Sequence, residues 1–247
     1  MDLLKLLEWD TKFFGFPIAR IVNPHAQPQE LREAVAQMQT RGIPLAYWFA
    51  DKPNEETHAQ VVAMGGALVD EKLTFVAGSQ GTPEQPATPL SIVEPYTEAM
   101  PLADLKELAV ESGIYSRFVV DPKFPKPLAR AMFEEWIVRS ISRQVADEVL
   151  VIRQGLEVVG MVTIASKGHR GSIGLLAVAE HCRGQQFGKA LVQAAQNWCR
   201  DRDFEEVQVV TQQANVAAQR LYYKCGFELE QMEACYHIWS LPCGLPT

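Results

Sequence analysis

An α/β (α+β) fold, with strands and helices mixed both in a small N-terminal αβ domain and in a larger second domain, is predicted from three features of the sequence. Short apolar runs of strand type alternate with stretches of helical period along the chain. Two such runs, 148–153 and 158–165, are separated only by Gln154-Gly155-Leu156-Glu157, the spacing of an antiparallel hairpin. The segment 78–89 holds three prolines and almost no large apolar residue, so it adds no packed element and reads as a linker. The domains are then 1–77 and 90–247.

In the first domain the strands fall at 19–22, 45–50 and 73–77, with helical patterns near 28–41 and 55–64. After the linker come a strand at 90–94, a helix at 102–111 and the Pro-punctuated stretch 121–127. A second helix, near 128–141, carries Met132, Phe133, Trp136 and Ile137 on one stripe. The hairpin follows, then a strand at 173–178, a polar loop and a helix on which Phe187, Leu191, Ala194, Ala195 and Trp198 recur with helical period. A strand at 207–211, a helix at 215–224 and two strands at 227–230 and 234–241 close the chain. One echo links the halves: Asn54 precedes Gly65 by eleven positions, as Asn215 precedes Gly226, and Val61 falls where the second copy has Tyr222. Both a duplicated unit and two ordinary βαβ segments fit that spacing.

Composition narrows the function. Of 247 residues 47% are apolar and 21% charged, which is ordinary globular usage. A net charge of −7 leaves no excess of cations for a phosphate backbone, so nucleic acid is not an expected partner. No apolar run reaches the ~20 residues of a membrane span. The opening Met1-Asp2-Leu3-Leu4-Lys5 has neither the basic stretch nor the cleavage site of a secretion signal, so a cytoplasmic location without membrane attachment is expected. The cysteines, Cys182, Cys199, Cys225, Cys235 and Cys243, include no Cys-x-x-Cys pair and no His at ligand spacing. Reduced thiols and no metal are expected.

Two segments carry chemistry. Arg183-Gly184-Gln185-Gln186-Phe187-Gly188-Lys189 lies between a strand and a helix, where unpaired N–H groups and the positive end of the helix dipole suit a diphosphate. Gly184 and Gly188 would let the main chain approach it. Downstream, Asn215, Ala218 and Tyr222 share one helix face, with Gly226 ending the helix. There the small Ala218 leaves room for a ligand, while Tyr222 is either a core aromatic or a phenol pointing into a cleft.

Arg183-Gly184-x-x-Phe187-Gly188-x-x-Leu191 followed by Asn215-x-x-Ala218-x-x-Leu221-Tyr222-x-x-x-Gly226-Phe227 resembles the acetyl-CoA signature of the GNAT (GCN5-related N-acetyltransferase) superfamily over residues 90–241. The resemblance implies the GNAT acyl-CoA acyltransferase fold, a mixed, largely antiparallel sheet with splayed central strands. Gly174-Leu175-Leu176-Ala177-Val178 is similar to the family's splayed strand, which implies that the main chain of Leu176, Ala177 and Val178 binds acetyl-CoA and offers the oxyanion donor. Arg183 to Lys189, Asn215 and Ala218 follow as cofactor contacts, and Tyr222 as general acid. Gln186 departs from the pattern, because the family usually has glycine there.

A narrower likeness rests on Leu7-Glu8-Trp9-Asp10-Thr11-Lys12-Phe13-Phe14-Gly15, Ser116-Arg117-Phe118 and Phe133-Glu134-Glu135-Trp136-Ile137. These resemble the TDP-fucosamine acetyltransferase group, which acetylates the 4-amino group of a TDP-linked 4-amino-4,6-dideoxygalactose. The implied reaction is direct acetyl transfer to the amine of a nucleotide-linked sugar in a ternary complex. Asp70 aligns with the group's acidic base, with Glu71, His169 and His181 as competitors. Tyr115, Ser116, Arg117 and Phe118 are the nucleotide-sugar candidates, since an Arg fork matches phosphate and an aromatic face stacks on a pyrimidine. Against these stand surface and packing roles for Arg117 and Phe118. Trp9, Phe13, Phe14 and Phe16 are assigned to packing. Competing readings keep the chemistry but use a protein N-terminus, a polyamine or an antibiotic as acceptor, or retain acyl-CoA binding without catalysis. Exposed edge strands in the first domain would permit a homodimer.

Overall fold

The structure is a computed structural model that describes residues 2–51, 53–79 and 92–240. The chain divides into two compact units, neither of them continuous in sequence. The first comprises the described residues of Met1–Lys72, Ser116–Leu128 and Met232–Thr247, the second those of Leu73–Tyr115 and Ala129–Gln231.

In the first unit the strands β1 (Leu4–Leu6), β2 (Ile18–Ile21), β3 (Leu45–Ala50), β10 (Glu228–Trp239) and β4 (Gly66–Gly78) lie in the order β1-β2-β3-β10-β4. β2 and β3 are parallel, whereas β1 against β2 and β10 against β3 are antiparallel. Alternation sorts β3 into two faces. Ala46 and Trp48 join Leu31, Ala34 and Met38 of α2 (Pro28–Thr40), Val61 of α3 (Glu55–Ala63), and Tyr236 and Ile238 of β10 in one buried cluster. Tyr47 and Phe49 take the other face, opposite His237 and Cys235. There Phe14, from α1 (Glu8–Phe14), packs edge-on to Phe124 and near Phe118 of α5 (Arg117–Val120).

In the second unit the order is β4-β9-β8-β7-β6-β5, with β5 (Val93–Pro95), β6 (Glu148–Gln154), β7 (Glu157–Lys167), β8 (Arg170–Val178) and β9 (Glu206–Gln212). The expected hairpin is β6–β7, turning at Gly155 with φ +63°. The helices are α4 (Leu102–Ser112), α6 (Lys126–Ile141, which enters this unit at Ala129), α7 (Phe187–Arg200) and α8 (Val216–Lys224). α7 buries the stripe Phe187, Leu191, Ala195 and Trp198 that its period announces.

Several expectations change. The strands expected at 227–230 and 234–241 are the single strand β10, because the chain stays extended through the exposed Gln231 and Met232 that lie between them. β1, α1 and α5 were not anticipated; they are three to seven residues long, too short for a periodic signal. The units are drawn differently from the expected 1–77 and 90–247, since β4 runs past Lys72 without a break and the end of β10 pairs with β3. Of the expected linker 78–89, only Gly78 and Ser79 are among the described residues; Cys243 also lies outside them.

The echo between the halves extends to local geometry. α3 and α8 are each nine residues long, and Asn54 and Asn215 cap them by accepting from Thr57 N–H at 2.8 Å and Ala218 N–H at 3.1 Å. Gly65 and Gly226 follow with φ +87° and +82°, and Val61 and Tyr222 are both buried.

Candidate active site

β8 is paired along both edges only at its start. It runs antiparallel to β7 from Arg170 to Val178, but parallel to β9 only from Arg170 to Ile173. From Gly174 onward its β9-facing edge has no strand partner among the described residues. The cause is local. The β7–β8 register shifts between Val162 and Ile164, so that Thr163 stands opposite both Gly174 and Leu175. An extra residue on one strand bends it and increases its twist. Thr163 Oγ1 accepts from Leu175 N–H at 2.8 Å, and a Cβ on Gly174 would lie 2.6 Å from that oxygen. Leu176, Ala177 and Val178 thus lie on an open main-chain edge, where backbone donors and acceptors need partners. One of these groups is taken: Val178 C=O accepts from Arg183 Nε at 3.2 Å.

A 3-10 turn, Glu180–Cys182, leads from β8 toward α7. Gly184 (φ +82°) and Gln186 (φ +65°) are both left-handed, and Ala190 N–H, bonded to Gln186 C=O at 3.0 Å, makes the first helical bond. The N–H groups of Phe187, Gly188 and Lys189 therefore precede the helical ladder, at the positive end of α7. Gln186 adopts the conformation that glycine takes freely, at a cost of about 1–2 kcal/mol for a side-chain-bearing residue, so the departure from the family pattern leaves the turn in place. Gly188 also has a packing role: a Cβ there would meet Leu221 Cδ2 of α8 at 3.2 Å. Arg183 also reaches Glu111 Oε2 at 3.2 Å, and Gln185 Oε1 accepts from Gln154 Nε2 at 3.2 Å.

β9, which diverges from β8, leads into α8. Asn215 caps this helix, which accounts for the asparagine without a ligand, and Ala218 supplies the capped N–H. The Tyr222 ring is buried near Phe75 and Phe227, with centroids 5.9 and 5.8 Å away. Burial raises the phenol above its ordinary pKa, with Cys225 adding to the shift. Its hydroxyl has no hydrogen-bond partner among the described residues and is not sealed within the core. Burial also lifts the thiols of Cys199 and Cys225 to about 11 and that of Cys235 to about 12, and Lys189 only partly opposes the shift at Cys225. Protonated thiols are poor nucleophiles.

The first unit holds a second constellation. Burial pushes the Asp70 carboxyl up to about 7, although Arg117 and Lys72 pull it down. Lys72 Nζ lies 2.6 Å from Glu233 Oε2. The Arg117 guanidinium carbon sits 4.2 Å from the Phe118 ring centroid, 4.7 Å from Tyr47 and 5.5 Å from Phe49. Beside them His237 stacks on Tyr47 at 4.8 Å, with its Nδ1 2.7 Å from Asp121 Oδ2, which also accepts from Trp239 Nε1 at 2.9 Å. Burial holds His237 neutral, its pKa well below the usual value. Asp121 is therefore the acceptor and His237 Nδ1–H the donor. Tyr47 Oη, Ser116 Oγ, Arg117 Nε and His237 Nε2 are all buried without a hydrogen-bond partner.

The sequence candidates separate accordingly. Asp70 and Arg117 come together electrostatically. Phe118 does not offer a face for a base: it is only 5% exposed, walled in by Phe14, Phe124 and Tyr47. Ser116 is buried, whereas Tyr115 is exposed and belongs to the second unit. Of the competing bases, Glu71 is exposed, His169 is exposed beside the β7–β8 turn, and His181 Nε2 lies 3.3 Å from Glu157 Oε1 on the surface. Sequence reasoning missed Tyr47, Phe49, His237 and Thr163. Alternation within 45–50 places Tyr47 and Phe49 on one face, but their partners lie nearly two hundred positions away in sequence.

Comparison with known proteins agrees with this geometry. Residues 110–227 match the model of the acetyltransferase (GNAT) family. The spore coat polysaccharide biosynthesis protein SpsD of Bacillus subtilis is 30% identical over 133 residues, which is 54% of this chain and 46% of that protein, so the chain spans about half of its relative's length. Among solved structures, a GCN5-related N-acetyltransferase from Sphaerobacter thermophilus aligns with a TM-score of 0.66 at 17% identity, covering 97% of this chain and 76% of that one. A tandem GNAT protein from the clavulanic acid biosynthesis pathway aligns at 0.56 and 15% identity, covering 93% and 77%. The fold is thus shared with solved GNAT proteins, and the stretch that matches the acetyltransferase (GNAT) family, residues 110–227, holds β8, the left-handed turn into α7 and the capped α8.

Proposed function

We propose that the protein is an acetyl-CoA-dependent N-acetyltransferase whose acceptor is the amine of a nucleotide-linked amino sugar, of the TDP-4-amino-4,6-dideoxyhexose type. The observation that carries this reading is the release of β8 from β9 at Gly174, close in sequence to the N-terminus of α7. Both features suit the cosubstrate. The open edge at Leu176, Ala177 and Val178 would hold its amide-bearing arm, and the N–H groups of Phe187, Gly188 and Lys189 its diphosphate. When bound, acetyl-CoA supplies an acyl group activated as a thioester.

The chain's own residues do the rest. A main-chain N–H of the open β8 edge would orient the acyl oxygen and stabilise charge developing on it. Tyr222 holds a proton at Oη that burial keeps in place until an anion forms beside it. Asp70, with a pKa near neutrality, accepts a proton from the acceptor's ammonium, and its partly buried setting favours binding a cation. Arg117 offers a fork for phosphate oxygens. Support for a sugar acceptor comes from the likeness to a polysaccharide biosynthesis protein. The shared build of α3 and α8 supports reading the first unit as a degenerate GNAT-like half.

Release of coenzyme A, followed by thiol detection over a panel of amines, tests the reading. TDP- and UDP-linked amino sugars should turn over, and polyamines, peptides and aminoglycosides should not. Turnover of a peptide or polyamine alone would replace the acceptor; no release with any amine would remove catalysis.

A further inference from the structure

One aromatic ring in the first unit gathers three cations. The guanidinium carbon of Arg20 lies 4.8 Å from the centroid of Phe49, that of Arg117 lies 5.5 Å from it, and Lys72 Nζ 5.6 Å. This convergence is unexpected on a chain of net charge −7. Lys72 is neutralised by Glu233. Neither Arg20 nor Arg117 forms an ion pair among the described residues. The register explains how they meet: Arg20 of β2 aligns with Tyr47 of β3, so both project from the face that carries Phe49, and α5 brings Arg117 over the same face. The Phe49 ring holds both guanidinium planes by cation–π contact; Asp10 and Asp70 bear on Arg117, but no salt bridge among the described residues closes either N–H fork, so an external acceptor can take both. Beneath them Tyr47 Oη lies beside Arg117 and Asp10, and Arg117 Nε is buried without a well-formed hydrogen bond. Tyr47 is 1% exposed, so it supports the Arg117 guanidinium from below rather than meeting a ligand itself.

We infer that Arg20 and Arg117, organised by Phe49 and Tyr47, form a subsite for the diphosphate of the acceptor's carrier group. The inference rests on the acceptor reading above and adds Arg20, Tyr47 and Phe49 to it. Two unpaired planar cations on one ring fit a ligand with two adjacent anionic groups, whereas a single carboxylate would leave one fork open. Nucleoside diphosphates and prenyl diphosphates share this chemistry.

Titration calorimetry on the full chain, with saturating coenzyme A present so that the turn into α7 is already filled, tests it. The probes are TDP, inorganic pyrophosphate and a short prenyl diphosphate. Wild type should bind at least one of them. Arg20→Gln should weaken that binding about tenfold or more, since one charge-assisted fork is lost, while coenzyme A affinity and melting temperature hold because Arg20 is exposed. TDP binding more tightly than the other two identifies a nucleotide carrier, and the prenyl compound binding most tightly a lipid one; both support the subsite. Absence of binding by all three, or equal binding by wild type and Arg20→Gln, overturns it. If coenzyme A is still released with a simple amine in that case, the acetyltransferase reading survives alone. Diphosphate binding lost in Arg20→Gln without any acetyl transfer would leave the subsite and end that reading.

Discussion

Asp70 and Tyr222 are titrating groups moved in the same direction for the same reason, and with opposite consequences. Burial holds the proton on Tyr222, which suits an acid, whereas it leaves Asp70 partly ionised near pH 7, which suits a base. In the proposed role Asp70 must be deprotonated, so kcat/KM should rise with pH through about 7, and Asp70→Asn should abolish that limb and lower activity by about 10²-fold. Stability moves the other way. A carboxyl whose folded pKa exceeds its unfolded value makes the native state bind more protons, so its penalty is absent at pH 4 and fully present above pH 7. Asp70→Asn should therefore raise the melting temperature at pH 8 more than at pH 4, as measured by scanning calorimetry. Tyr222→Phe keeps the ring that packs against Phe75 and Phe227 and removes only Oη. Steady-state kinetics should show kcat reduced about 10²-fold with coenzyme A binding retained. Tyr222 and Asp70 were candidates from the family resemblance, to which the structure adds the burial that shifts both. Arg20 and Phe49 were not, because their meaning lies in register between strands rather than in spacing along one.

The divergence of β8 from β9 depends on an element two residues wide. Gly174 passes Thr163 with no room for a methyl group, and the threonine hydroxyl satisfies the Leu175 N–H that the bulge takes out of the ladder. Gly174→Ala forces that contact apart, at about 1–3 kcal/mol, and alters the edge on which the acyl arm would lie. Denaturant melts should show the loss, and calorimetric titration with coenzyme A should show affinity falling by more than the stability loss explains. Equal affinity in wild type and variant would mean that the bulge is architectural only. The run Gly174 to Val178 already resembled a splayed strand, but the bulge that splays it is invisible in sequence, since Thr163 looks like any strand threonine. Likewise α7 was legible from its apolar stripe, whereas the left-handed Gln186 at its start was not, because a glutamine carries no turn signal.

The first unit is assembled from three separated stretches of chain, and the linear sequence concealed this. Composition located the Pro-rich segment 78–89 and suggested a boundary there, yet β3 pairs from Leu45 to Ala50 with Trp239 to Ala234 of β10. A fragment ending at residue 77 would leave β3 with an apolar edge and the buried faces of Trp48 and Ala46 without Tyr236 and Ile238. Expressed alone, residues 1–77 should show no cooperative thermal transition by circular dichroism; a sharp one would mean that the N-terminal stretch is an autonomous domain after all. The same arrangement bears on biosynthesis. A ribosome adding roughly 5–20 residues per second finishes β3 long before β10 emerges, so the nascent chain must hold a half-made sheet for many seconds. Chaperone dependence during translation, rather than any weakness of the finished protein, is where this topology would be felt in the cell.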